Sequence, residues 1–275
     1  MAQKQIQKMK KTRVFRIFSC ILLFFAVLSC SSADKIAHTE RFFLLPDSVR
    51  YERAGNAEYA FVKENDVKFH VVKIDLSSEN VEILAYPTKT ESGKLGRSKK
   101  FAKLTGAEIA VNTSPFTRER TIMGIHLIDG EVISRAIHRY GALVFFRDKN
   151  GGFFAKIIKN QTEENLLGAD FAFGGFFQIL SNGEKVDFAT ESFDARSAVG
   201  VSADGRTIFL LVAEKGFGSR GLSFQECAEI FLSLGAFDAL EFDGGSSSSL
   251  FVSKKNVKYE ASFRRNESYM GFCFR

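Results

Sequence analysis

ALEFDGGSSSSLFV, residues 239–252, runs from apolar sequence through two glycines and four serines and straight back into apolar sequence. A flexible linker has no reason to be gripped at both ends by core-type residues, so the stretch reads as a loop built to hold something. Successive side chains of an extended chain point to opposite faces, which sets Leu240 and Phe242 against Glu241 and Asp243. Strand rise places the two acids ~6–7 Å apart. Gly244 and Gly245 let backbone N–H groups converge on an anion, and the hydroxyls of Ser246, Ser247 and Ser248 add donors. On local spacing alone, a wide, hydroxyl-decorated turn accounts for the stretch equally well.

A helix leads into this strand. Ser223 with Glu226 three residues on forms a capping box, Phe224, Cys227, Ala228 and Phe231 make one apolar stripe, and Gly235 marks the end. The pattern predicts a helix over 223–234 feeding a strand over 238–243, and a shorter helix over 97–105. Elsewhere, turn dipeptides separate apolar runs: Asp129-Gly130, Asn150-Gly151, Asn182-Gly183 and Asp204-Gly205. Each supplies positive φ at low cost and matches hairpin twist, so four antiparallel hairpins are expected. Hairpins with a few packed helices give an α+β class, a single domain of mixed or antiparallel sheet.

Several segments then fall in a telling order. Ala195-Arg196-Ser197-Ala198-Val199-Gly200 is followed by Gly221-Leu222-Ser223-Phe224-Gln225-Glu226-Cys227-Ala228, and then by the run from Leu234-Gly235-Ala236 to Asp243-Gly244-Gly245-Ser246-Ser247-Ser248-Ser249. Upstream stand Ala110-Val111-Asn112-Thr113-Ser114-Pro115-Phe116 and Gly174-Gly175-Phe176-Phe177-Gln178-Ile179-Leu180. In this order the chain resembles the phosphodiester glycosidase family over roughly residues 60–275, most strongly in the last third. The resemblance implies hydrolysis of a sugar 1-phosphodiester between the anomeric carbon and the phosphate oxygen; no cofactor and no metal are expected.

On that reading Asp243 activates water or stabilises the sugar cation, and Glu241 is an auxiliary acid/base. Arg196 clamps phosphate with a bidentate fork. Ser197, Gly244, Gly245 and Ser246 to Ser248 supply donors, while Asn112 hydrogen-bonds and Phe116 stacks on the sugar. Each has a plainer reading: Asp243 capping its turn, Arg196 in a structural ion pair, Glu241 solvated, Asn112 fixing a loop, Phe116 in the core. The chain also departs from the family pattern. Thr113, Ser114 and Ser246 stand where the family has glycine, and Phe177 where it has proline. If those glycines need positive φ or admit substrate closely, the pocket is altered, and a non-catalytic glycan- or phosphoglycan-binding lipoprotein becomes the alternative.

The amino-terminal end carries six basic and no acidic residues before an apolar run over 17–28, too short to span a bilayer. A basic head, short apolar stretch and small residues make a secretory signal over 1–29. Val27-Leu28-Ser29-Cys30 resembles a bacterial lipobox, with Cys30 lipidated and the protein exported to the periplasmic or cell-surface face of a membrane. Residues 30–60 read as a tether and 61–275 as the domain. The net charge of +6 equals the charge of the leader, so the remainder is neutral and nucleic-acid binding has no basis. Cys227 and Cys273 are the pair available to an oxidising compartment, but their apolar settings favour free thiols. The four histidines show no metal-ligand spacing.

Overall fold

The computed structural model describes residues 49–88 and 96–275. The leader, Cys30 and the first part of the tether lie outside the described residues. Among the described residues, antiparallel sheets carry the fold. The largest orders its strands β1 (Glu52–Ala54), β2 (Ala57–Glu64), β3 (Val67–Asp75), β14 (Thr207–Ala213), β13 (Arg196–Val201), β17 (Asp238–Glu241), β11 (Gln178–Ser181) and β12 (Glu184–Lys185). A second runs β7 (Glu131–Ser134), β6 (His126–Ile128), β10 (Phe171–Gly174), β8 (Ala142–Arg147) and β9 (Phe153–Ile158). The third runs β19 (Val257–Glu260), β18 (Ser249–Val252), β5 (Ile109–Asn112), β20 (Tyr269–Phe274) and β4 (Val81–Tyr86). A small ribbon pairs β15 (Lys215–Gly216) with β16 (Ser219–Arg220).

The α+β expectation holds only in part. Helix is limited, among the described residues, to α1 (Ser98–Thr105), α2 (Glu163–Leu166) and α3 (Phe224–Ser233), apart from short 3-10 turns. The apolar runs bury themselves sheet against sheet, and helices α1 and α3 cover outer faces. Residues 52–60, expected as tether, instead form β1 and the start of β2, because Ala57 and Tyr59 alternate inward while Glu58 stays out.

The four turn dipeptides fall at the β6–β7, β8–β9, β11–β12 and β13–β14 connections. Asp129 and Gly130 take φ of 49° and 76°, and Asn182 and Gly183 take 52° and 77°, the left-handed pair a two-residue hairpin requires. Helix α3 opens on the expected capping box, with Ser223 accepting from the Glu226 amide and the Glu226 carboxylate accepting from the Ser223 amide. Its buried stripe reaches the sheet at Gly200, where a Cβ would stand 2.5 Å from a Phe231 ring carbon. Cys227 and Cys273 are both free thiols, the first in α3 and the second on β20.

The core lies between the inner faces of the three sheets. Leu240 and Phe242 join Phe145, Phe173, Leu250 and Phe272 there, each fully buried. Burial of such a side chain contributes roughly 1.5–3 kcal/mol. With Leu240 and Phe242 held inward, alternation forces Glu241 to the outer face. The opening stretch then does not double back onto its own sheet. It leaves β17 in the largest sheet, makes one 3-10 turn over Gly245–Ser247 with Gly245 at φ 58°, and enters β18 of the third sheet.

Candidate active site

The antiparallel register sets Glu241 opposite Ala198, and the Phe242 amide donates to the Ser197 carbonyl at 2.8 Å. That register brings Arg196, at the start of β13, beside the end of β17. Arg196, Glu241, Asp243 and the Gly244–Ser246 loop line an open cleft of about 440 Å³, with Asp194 and the rings of Phe176, Phe177 and Phe224 completing its walls.

Glu241 is the unusual group. It is 2% exposed, and neither carboxylate oxygen has a hydrogen-bond partner. Arg196 Nη1 stands 3.7 Å from Oε1, close enough for attraction but too long for a hydrogen bond. Burial lifts the Glu241 pKa from 4.5 to about 8, against the lowering effect of Arg196 and with a smaller push from Asp243. Gly244 leaves the acid its room, since a Cβ there would sit 3.0 Å from Oε1. A buried acid that accepts no hydrogen bond, facing a cleft, is a strong mark of function.

Asp243 is held from both sides of its backbone. Its amide donates to the Thr113 carbonyl at 2.8 Å, and its carbonyl accepts from Asn112 Nδ2 at 2.7 Å. Burial raises its carboxyl pKa, while the Ser247 hydroxyl and the Arg264 charge pull it down.

The other expected residues divide. Arg196 is not the free clamp foreseen. Its Nε donates to the Leu222 carbonyl at 2.9 Å, its Nη2 to the Ser192 carbonyl at 2.5 Å, and its guanidinium stacks 3.8 Å above the Phe224 ring. What remains of it points at Glu241. Asn112 is 1% exposed and spends its amide on the loop, accepting at Oδ1 from the Ser197 hydroxyl at 2.8 Å and the Ser249 amide at 2.9 Å. Ser197 is thereby occupied too, and both residues position the loop from behind instead of lining the cleft. Ser246 lines the cleft, whereas Ser247 and Ser248 turn inward and are buried. The amides of Asp243, Gly245, Ser247, Ser248 and Ser249 donate within the protein, so the foreseen cradle of amides shrinks to Gly244 and Ser246 among the described residues. Phe116 is half-buried beneath the guanidinium of Arg264, 4.5 Å from its ring centroid.

Sequence reasoning missed Asp194, Phe176, Phe224 and Arg264. Asp194 lies two residues before Arg196, accepts from the Ala195 amide at 2.8 Å and pairs with Lys215 at 3.3 Å. Its position just ahead of the arginine motif was a usable signal. The other three come from distant segments.

The substituted positions are accommodated. Thr113, Ser114 and Ser246 do not have positive φ. Thr113 hydrogen-bonds through Oγ1 to Ser268 Oγ at 3.1 Å. Phe177 packs on Phe188 and Phe224, with centroids at 5.4 Å and 5.1 Å, and adds to the aromatic wall. A larger groove, about 490 Å³, runs along β4, but its acids include Glu82 paired with Arg275, and none of its lining acids is buried without partners. Among the described residues no group of three His, Cys, Asp or Glu side chains converges as a metal site would need.

Comparisons with known proteins bear on the family and the fold. A family model described as phosphodiester glycosidase matches residues 105–272. The SPbeta prophage-derived uncharacterized protein YomE of Bacillus subtilis (strain 168) is 24% identical over 245 residues, which cover 82% of this chain and 37% of that one. Among solved structures, the catalytic domain of zebrafish N-acetylglucosamine-1-phosphodiester alpha-N-acetylglucosaminidase, auto-inhibited by its pro-peptide, superposes with a TM-score of 0.62 at 16% identity, covering 82% of this chain and 88% of that domain. A hypothetical protein from Synechocystis gives a TM-score of 0.61 at 16% identity, covering 80% of this chain and 62% of its own. These two likenesses speak to fold. The chain spans well under two thirds of the Bacillus relative's length.

Proposed function

The chain belongs to the phosphodiester glycosidase family, and from that premise we propose that it hydrolyses a sugar 1-phosphodiester at the bond between the anomeric carbon and the phosphate oxygen. The observation that carries this reading is Glu241, a buried acid that accepts no hydrogen bond and holds its proton near neutrality, set two residues from Asp243 on one cleft wall. Asp243 takes a proton from water as the water oxygen bonds to the anomeric carbon. The carbon–oxygen bond breaks with its electron pair on the phosphate oxygen, which accepts the Glu241 proton. A free sugar and a phosphate monoester leave, and solvent returns a proton from Asp243 to Glu241. Arg196 supports Glu241 by moderating its pKa and fixing its place. The substrate is a glycan of the envelope or of a host, met by an exported protein tethered to a bacterial membrane through lipid on Cys30.

The alternative of a binding module without turnover rested on the substituted glycines. None of the three positions demands positive φ, and this favours catalysis. Asp243→Asn is expected to abolish sugar release from sugar 1-phosphodiesters with little change in Tm. Full activity in that variant removes Asp243 from the reaction, and binding without product in the wild type supports the module.

A further inference from the structure

One guanidinium lines the cleft and a second reaches Ser246 at its edge, and they differ in what they have left to give. Arg196 is committed to two carbonyls, a ring and Glu241. Arg264 is exposed at the rim, with Nη1 3.5 Å from the Ser246 hydroxyl oxygen. Its backbone is tied to the same loop: the Arg264 amide donates to Ser262 Oγ at 2.9 Å, and Ser262 Oγ donates to the Ser246 carbonyl at 2.8 Å. Its guanidinium lies over the Phe116 ring, and the ring's other cationic neighbour, Arg120 at 5.9 Å, is neutralised by an ion pair with Glu267. Its charge reaches Asp243, whose carboxyl pKa it lowers, while its guanidinium donates to the Ser246 hydroxyl. A planar fork held by ring stacking, with donors left over and a hydroxyl beside it, matches the two free oxygens of a phosphodiester.

The structure assigns the phosphate subsite to Arg264 with Ser246, and the sugar to the aromatic flank of Phe176 and Phe177 beside Glu241. This assignment rests on the hydrolase reading above. Phe176 and Phe177 are locked to the backbone of the acid, since the Phe176 amide donates to the Glu241 carbonyl at 2.8 Å and the Glu241 amide to the Phe177 carbonyl at 3.1 Å. Phe177 remains 37% exposed, a ring face open to the apolar side of a sugar. A substrate laid this way presents its anomeric carbon to the two acids, between its own charged and apolar ends. Arg264 also accounts for an open cleft in which the arginine of the sequence motif is already spent.

The test uses purified protein, a panel of methyl glycosyl 1-phosphates, and inorganic phosphate both as competitor and as a ligand followed by phosphorus NMR. Arg264→Ala should lower kcat/KM on the diesters about ten- to a hundred-fold, largely through KM, and weaken phosphate binding in proportion. Arg264→Lys should recover part of both, and Tm should stay at the wild-type value because the side chain is exposed. Wild-type kcat/KM and phosphate affinity in Arg264→Ala overturn the assignment while the hydrolase reading stands. Phosphate binding that depends on Arg264, in a protein that turns over no diester, keeps the subsite and overturns the hydrolase reading. Phosphate that binds wild type and Arg264→Ala alike, with no turnover, overturns both.

Discussion

Replacing Glu241 by glutamine separates the cost of burying an acid from its use. Neither carboxylate oxygen accepts a hydrogen bond, and burial raises the pKa from 4.5 to about 8 against the attraction of Arg196. A group whose folded pKa lies above its unfolded one holds its proton more tightly when folded. Its contribution to stability is therefore complete below about pH 4.5 and is lost as pH climbs through about 8. At about 1.4 kcal/mol per unit, the whole window is worth ~5 kcal/mol at most. Local relaxation and water entry reduce this, so ~2–5 kcal/mol is the expected range. Glutamine keeps the shape and removes the titration. Urea unfolding of both proteins between about pH 5 and about pH 9 should show the wild type losing that amount relative to Glu241→Gln. The variant should be inactive yet relatively more stable at the alkaline end. Parallel stability curves would refute the argument that burial sets this pKa.

The wild-type pH profile of kcat/KM should fall above about 8 as Glu241 loses its proton, and on the acid side at a pH above the ordinary aspartate value of 3.8 as Asp243 gains one. Arg196→Ala removes the charge that holds Glu241 down, so the alkaline limb should move upward; an unmoved limb separates Arg196 from Glu241. Asn112→Ala strips partners from the Ser197 hydroxyl, the Ser249 amide and the Asp243 carbonyl. It should cost ~1–3 kcal/mol in denaturant unfolding, whereas a residue that served substrate alone would leave stability unchanged.

Local chemistry made much of this fold legible. Asp129-Gly130 and Asn182-Gly183 announce their hairpins because few other residues accept positive φ, and Ser223 with Glu226 fixes the start of α3. Alternation through Leu240 and Phe242 placed Glu241 and Asp243 on one side. What the alternation could not convey was depth: Glu241 reads as a solvated strand acid, yet it is 2% exposed in the folded chain. Serine direction was equally hidden, because a single 3-10 turn decides that Ser246 faces the cleft while Ser247 and Ser248 face inward. Phe176 enters the site from the passage between β10 and β11, and Arg264 from the connection between β19 and β20, both outside the 239–252 stretch. Residues 52–60 passed for tether because an edge strand with polar outward positions looks like one.

Hydrolysis of a sugar 1-phosphodiester in water enriched in oxygen-18, with the product phosphate followed by phosphorus NMR, reports which bond the protein breaks. Attack at the anomeric carbon leaves the phosphate monoester free of label, which is the outcome expected from Glu241 and Asp243 working at the sugar. Label in the phosphate, or no hydrolysis across the panel of diesters, contradicts it.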